Sequence, residues 1–199
     1  MCSGWVAAAS VAAAAAGPQA PAVERSAPRE RVELRLAGVR VAVEYGRPAR
    51  RGRPIFGALV PYGRLWRTGS DEATLLSTDA DLVLDTLAVP AGRYALFTIP
   101  GEEWWTVVVN RVADQWGAYG YDPGQDLGRL RVRPSGLREP VEQLTVTLAA
   151  TGERSALLSL AWETTQVSLP VEIVLGEGAA PPSPAVNDPG PGPRPGAGT

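Results

Sequence analysis

The stretch Arg31-Val32-Glu33-Leu34-Arg35-Leu36-Ala37-Gly38-Val39-Arg40-Val41-Ala42-Val43-Glu44 decides the fold. Val32, Leu34 and Leu36 alternate with Glu33 and Arg35, and Val39, Val41 and Val43 alternate with Arg40, Ala42 and Glu44. Successive side chains of a strand point to opposite faces, so this period of two marks two strands with one buried face each. The same theme continues in Ala73–Ser77, Leu82–Leu84, Tyr94–Ile99, Trp105–Asn110, Leu130–Val132, Leu144–Leu148, Ala156–Trp162 and Thr165–Val174. Turn formers punctuate the runs at Val89-Pro90-Ala91-Gly92, Pro100-Gly101, Pro134-Ser135-Gly136 and Thr151-Gly152. Outside the leading Ala tract, apolar residues nowhere hold helical spacing for three turns. The expectation is an all-β chain, an antiparallel β-sandwich or flattened barrel of about nine or ten strands. No internal repeat is visible.

Two segments break the alternation. Gly46–Thr74 is too irregular for strands and too rich in Gly and Pro for helices, and Asp114–Gly128 sets Trp116, Tyr119 and Tyr121 among turn formers. Long loops carrying this many aromatic and apolar residues are structured, and long structured loops carry function.

Composition excludes much chemistry. The 199 residues contain no His, and all 19 basic residues are Arg. A Ser-His-Asp or Cys-His catalytic set is therefore absent, as are imidazole metal ligands, Schiff-base lysines and phosphate-loop lysines. The single Cys, Cys2, allows neither an intrachain disulfide nor a thiolate metal cluster. Neither a cofactor nor a metal is expected. The net charge of −2 gives no global attraction to nucleic acid, and no nucleic-acid partner is expected. Charge is unevenly placed, however: between Arg40 and Glu72, seven Arg face only Glu44, Asp71 and Glu72.

The ends read differently from the middle. Trp5–Ala16 is an apolar run too short for a bilayer, which needs about 20 residues, but suited to the core of a signal peptide. Residues 1–23 are read as a signal peptide and linker, 24–175 as a single β-sandwich domain, and 176–199 as a disordered Pro/Gly-rich tail. The protein is expected to be exported, periplasmic or secreted, with a lipid-anchored or a cytoplasmic protein as alternatives. No transmembrane segment is expected, and the oligomeric state is open.

Several runs carry a family resemblance. They are Tyr45-Gly46-Arg47-Pro48, Gly52-Arg53-Pro54-Ile55-Phe56-Gly57, Leu59-Val60-Pro61-Tyr62-Gly63, Trp66-Arg67-Thr68-Gly69 and Asp71-Glu72-Ala73-Thr74. Val89-Pro90-Ala91-Gly92-Arg93-Tyr94, Leu96-Phe97-Thr98-Ile99-Pro100-Gly101 and Gln115-Trp116-Gly117-Ala118-Tyr119 join them. Together they resemble the bacterial domain-of-unknown-function family 2911 over about residues 40–170. The resemblance implies an exported protein and supplies no activity and no site residue.

Candidate ligand-binding residues follow from the two loops. Arg47, Arg53 and Arg67, with Asp71 and Glu72, could grip carboxylate, phosphate or sulfate through guanidinium forks. The same Arg could instead pair with Glu44, Asp71 and Glu72 to pin a loop that lacks regular hydrogen bonds. Trp66, Trp116 and Tyr119 offer flat faces suited to sugar rings, or could pack the loops against each other. Trp104 and Trp105 must point to opposite faces, with Trp105 in the core and Trp104 covering a sheet edge. Paired carboxylates would allow glycoside hydrolysis, Glu72 with Asp71 or Asp114 being the available pairs. Asp79, Asp81, Asp122 and Asp126 could ligate calcium but read first as turn residues. The reading is a non-catalytic binding module for a small anionic or carbohydrate-like ligand. A Glu72-dependent hydrolase and a purely structural envelope or protein-interaction module are the alternatives.

Overall fold

The two alternating runs form a hairpin. Strand β1 (Arg29–Leu36) pairs antiparallel with β2 (Val39–Gly46), in a register that sets Leu36 opposite Val39. The two-residue turn holds Ala37 at φ 51° and Gly38 at φ 79°. Left-handed geometry at both positions matches the twist of the flanking strands. The computed structural model describes residues 25–175. The signal peptide expected over 1–23 and the tail expected over 176–199 lie outside the described residues.

Eight further strands follow: β3 (Thr74–Thr78), β4 (Asp81–Leu84), β5 (Leu87–Val89), β6 (Gly92–Ile99), β7 (Trp105–Asn110), β8 (Asp126–Val132), β9 (Ser135–Ala150) and β10 (Ser155–Val174). One short 3-10 turn, Pro123–Gln125, precedes β8. A six-stranded sheet has the order β1-β2-β3-β6-β7-β8, and a four-stranded sheet the order β5-β4-β10-β9. Every pairing is antiparallel. The sheets remain separate, which makes the fold a sandwich and excludes the closed barrel.

The core lies between the sheets. Val41, Val43, Leu76, Leu96, Val107 and Leu130 of the larger sheet face Leu82, Leu84, Leu144, Val146, Leu158 and Val171 of the smaller one, all buried. The outer face of the larger sheet is also partly apolar: Ala95, Phe97 and Val108, in opposite phase to Leu96 and Val107, form a second buried cluster with Ala73. Something must cover that outer face, and the loops do.

Three elements differ from the reading of the sequence. Ala156–Trp162 and Thr165–Val174 belong to one strand, β10, bent by register shifts between Ala161 and Thr165, with Glu163 at φ 55°. The irregularity inverts the phase, so that Leu158, Leu160 and Trp162 face the core before it and Val167, Leu169 and Val171 after it. Leu87–Val89, of which only Val89 is assigned from sequence, as the start of a turn, pairs with β4, and Ser135-Gly136, read as part of a turn, opens β9 opposite Gln166 and Thr165.

Candidate functional site

The first loop begins by plugging the sandwich. Ile55, Val60 and Trp66 are buried, and Phe56 packs edge-on against Trp105 at 4.7 Å. Trp66 stacks on Trp162 at 5.9 Å with the rings 18° from parallel, and its Nε1–H donates to the Gly69 carbonyl at 3.1 Å. Trp66, a candidate ligand platform from sequence, is thus a core residue. Phe56, edge-on to Trp66, Trp105 and Trp162, completes a cluster of four aromatics that closes this region.

The loop then crosses to the outer face of the larger sheet. Thr68 and Asp71 both adopt φ 61°, a left-handed conformation that is uncommon for residues with a Cβ and that marks a tight change of direction. There the loop meets the second one, which in the structure spans residues 111–125 between β7 and β8, the expected loop residues 126–128 belonging to β8. The Ala73 N–H donates to the Gln115 carbonyl at 3.0 Å, and the Gly117 N–H to the Asp71 carbonyl at 2.9 Å. Tyr121 packs on Phe97 at 5.1 Å, and with Leu65 and Ala118 it covers the second apolar cluster.

Beside this junction lies a groove of about 390 Å³, with Ala73 and Leu75 in its lining. Its polar lining alternates in sign. Arg29 from β1 lies 3.5 Å from Glu72 and 4.0 Å from Glu44 of β2, and Arg93 of β6 pairs with Asp114 at 2.9 Å. Arg25 reaches Glu72 at 2.7 Å, and Arg31 reaches Glu44 at 2.7 Å. Gln115 and Trp116 complete the wall, and Trp116 keeps 48% of its surface exposed. The hydrogen bond from Arg25 holds the Glu72 carboxyl below its ordinary pKa. A glycosidase needs one carboxyl kept protonated and a second kept ionised. The direction of its shift suits Glu72 to the ionised role and not to that of the acid.

Asp71 serves the N-terminal segment instead of the groove. Its carboxylate accepts from the Ser26 N–H, the Ser26 hydroxyl and the Ala27 N–H. Partial burial would raise its pKa, but these hydrogen bonds prevail and leave it lowered. Asp71 and Glu72, adjacent in sequence, therefore take different partners on one segment, Ser26 and Ala27 for the first and Arg25 and Arg29 for the second.

A second cleft, of about 300 Å³, opens on the other flank of residues 26–28 and is lined by Arg47, Arg51, Arg53 and Gln143. Arg67 lines neither cleft; it is half-buried, with a buried Nε that has no hydrogen-bond partner among the described residues. Tyr119 is 88% exposed on the second loop, its ring against Gly117. The eight candidates therefore do not form one site. Glu72 and Trp116 meet in the groove, Arg47 and Arg53 meet in the second cleft, and Trp66, Arg67, Asp71 and Tyr119 stand apart from both linings.

Reading the sequence missed Arg29, Glu44, Arg93 and Gln115 in the groove and Arg51 and Gln143 in the cleft. Glu44 and Arg93 are legible as outward residues of strands, but only the sheet order, which sets β3 between β2 and β6, brings them to one groove. Of the Asp weighed as calcium ligands, Asp79 pairs with Arg40, Asp81 accepts from the Ala91 N–H, Asp122 caps the 3-10 turn, and Asp126 accepts from Asn110, Tyr121 and Arg129. Trp104 carries the guanidinium carbons of Arg131 and Arg133 over its ring at 4.7 and 4.5 Å.

A family model described as a protein of unknown function (DUF2911) matches residues 27–171, which include both clefts except Ser26. No curated protein and no solved structure matches the chain. Among the described residues no helix is long and apolar enough to cross a membrane.

Proposed function

The chain belongs to the DUF2911 family, and from that premise we propose that it is a non-catalytic module that binds a carbohydrate-like ligand in the groove beside Trp116. One observation carries the reading: a half-exposed indole stands beside closely spaced guanidinium, carboxylate and amide groups over a partly apolar floor. A sugar ring presents an apolar face to an aromatic ring and a rim of hydroxyls that both donate and accept, so a lining of mixed sign suits it better than it suits an anion. Arg29 and Arg93, each beside a carboxylate, leave little net charge to attract an ion.

The reading includes export, which rests on the sequence of residues 1–23; amino-terminal sequencing of the mature protein from a cell-envelope fraction tests it, and a chain that keeps residues 1–23 would overturn it.

The binding test is titration calorimetry of the full chain against glucan, mannan, xylan and chitosan oligosaccharides. The expected result is saturable binding to at least one of them, weakened tenfold or more by Trp116→Ala. That factor corresponds to about 1.4 kcal/mol. Heat from none of the four, or binding indifferent to Trp116→Ala, would overturn the reading.

A further inference from the structure

The turn Arg50-Arg51-Gly52-Arg53 projects beside the N-terminal segment. Arg51 at φ 51° and Gly52 at φ 72° give it a left-handed pair, closed by the Arg53 N–H donating to the Arg50 carbonyl at 3.0 Å. Arg53 is then fixed by its own turn: Nε–H donates to the Arg50 carbonyl at 2.9 Å, and Nη2 to the Ala49 carbonyl at 3.0 Å. Arg47, across the cleft, is held by Glu30 at 3.0 Å and by the Thr145 hydroxyl at 3.4 Å, and its buried Nε finds no acceptor among the described residues. Arg51 is exposed, and among the described residues it has no carboxylate within 4.0 Å.

Of the acids near this cleft, Glu30 pairs with Arg47, Glu142 accepts from the backbone N–H of Arg51, and Asp71 holds Ser26 and Ala27 from the far side of the segment, so that among the described residues the Arg51 and Arg53 side chains have no carboxylate partner. Among the described residues the cleft lining contains no Asp or Glu. Three guanidinium groups line one space, two of them anchored in advance; Arg47 is balanced by Glu30, and the charges of Arg51 and Arg53 raise the local potential and favour a counter-anion. A volume of about 300 Å³ exceeds what a bare ion fills and lies at the small end of ligand pockets. The Gln143 amide in the same lining can donate to and accept from hydroxyls.

We propose that the cleft between Arg47, Arg51 and Arg53 is a second binding site, for a monosaccharide bearing an anionic group, either a carboxylate or a phosphate. The charged group sits among the three Arg and the hydroxyls reach Gln143 and Ser26. The site is independent of the Trp116 groove and stands or falls separately from it.

Calorimetry of the full chain with glucuronate, glucose 6-phosphate, glucose and inorganic phosphate tests the assignment. Glucuronate or glucose 6-phosphate is expected to bind at least tenfold more tightly than glucose, and whichever of the two binds identifies the anionic group. Arg51→Gly, which preserves the left-handed turn, and Arg53→Gln should each weaken the acidic sugar tenfold or more, and Trp116→Ala should leave it unchanged. Raising the salt concentration should weaken it as well, because the groups are partly solvated. No preference for an acidic sugar over glucose would overturn the proposal, as would binding indifferent to Arg51→Gly. Inorganic phosphate binding as tightly as glucose 6-phosphate would overturn the sugar assignment.

Discussion

The Asp71 carboxylate accepts both the backbone N–H of Ser26, at 3.0 Å, and its hydroxyl, at 2.8 Å. Because Asp71 also pairs through its carbonyl with Gly117 of the second loop, this one residue joins the N-terminal segment to both loops. The ridge it holds in place, residues 26–28, walls the arginine cleft, while Arg29 just beyond it lines the groove.

Replacing Asp71 should release that ridge. Asp71→Ala removes the acceptor of three hydrogen bonds and also places Ala at φ 61°, a conformation Asn tolerates better. Asp71→Ala should cost about 1–3 kcal/mol, and Asp71→Asn less, by urea denaturation. Hydrogen exchange should show the Ser26 and Ala27 amides losing protection in both variants.

Acid should weaken the same clamp. Asp71 and Glu72 both have folded pKa values below their ordinary ones, so the unfolded chain takes up protons first as pH falls. Their contribution is present above the ordinary carboxylate range, about pH 4, and is lost as pH falls through the lower folded values. Between pH 7 and pH 3 the melting temperature of the wild type should therefore fall further than that of Asp71→Asn/Glu72→Gln. Equal falls would show that the two carboxylates contribute nothing to the acid limb.

The aromatic plug should separate from the exposed aromatic. Trp162 is buried between Trp66 and Phe56, so Trp162→Ala should cost about 3–5 kcal/mol through the lost contacts and the cavity left behind. Tyr119→Ala, at a site 88% exposed, should stay within about 0.5 kcal/mol of wild type. Denaturant midpoints of the two variants check both values.

Gly46 should tolerate no side chain. A Cβ there would collide with the carbonyl oxygen of Ser70, a backbone atom that cannot rotate away. Gly46→Ala should cost about 1–3 kcal/mol, as overpacking does, whereas Gly136→Ala, with open space around it, should unfold at nearly the wild-type midpoint.

The strands were legible where one face alone is buried. The alternation in Val32–Glu44 is local information, because the period of a strand belongs to consecutive residues, and it located β1 and β2 from sequence. β10 was read as two strands because its bulge near Glu163 inverts the alternation, and a phase change in sequence looks the same as a chain break. The loops were recognisable as structured from their aromatic content, and the family membership from their motifs.

The site was less legible, since its residues converge only through the sheet order. Glu72 and Trp116 were visible because they lie in the irregular segments. Arg29, Glu44 and Arg93 look like ordinary outward residues of three strands, and nothing local distinguishes them from Arg31 or Arg35. The sequence by itself determined the all-β class, the buried faces and the two structured loops, because patterning and composition act over a few residues. The tertiary structure decided that Trp66 turns inward onto Trp162, that Asp71 and Glu72 clamp the N-terminal segment, and that the arginines divide between two clefts. Those outcomes depend on contacts between residues tens of positions apart, whose geometry is set by how the sheets and loops pack.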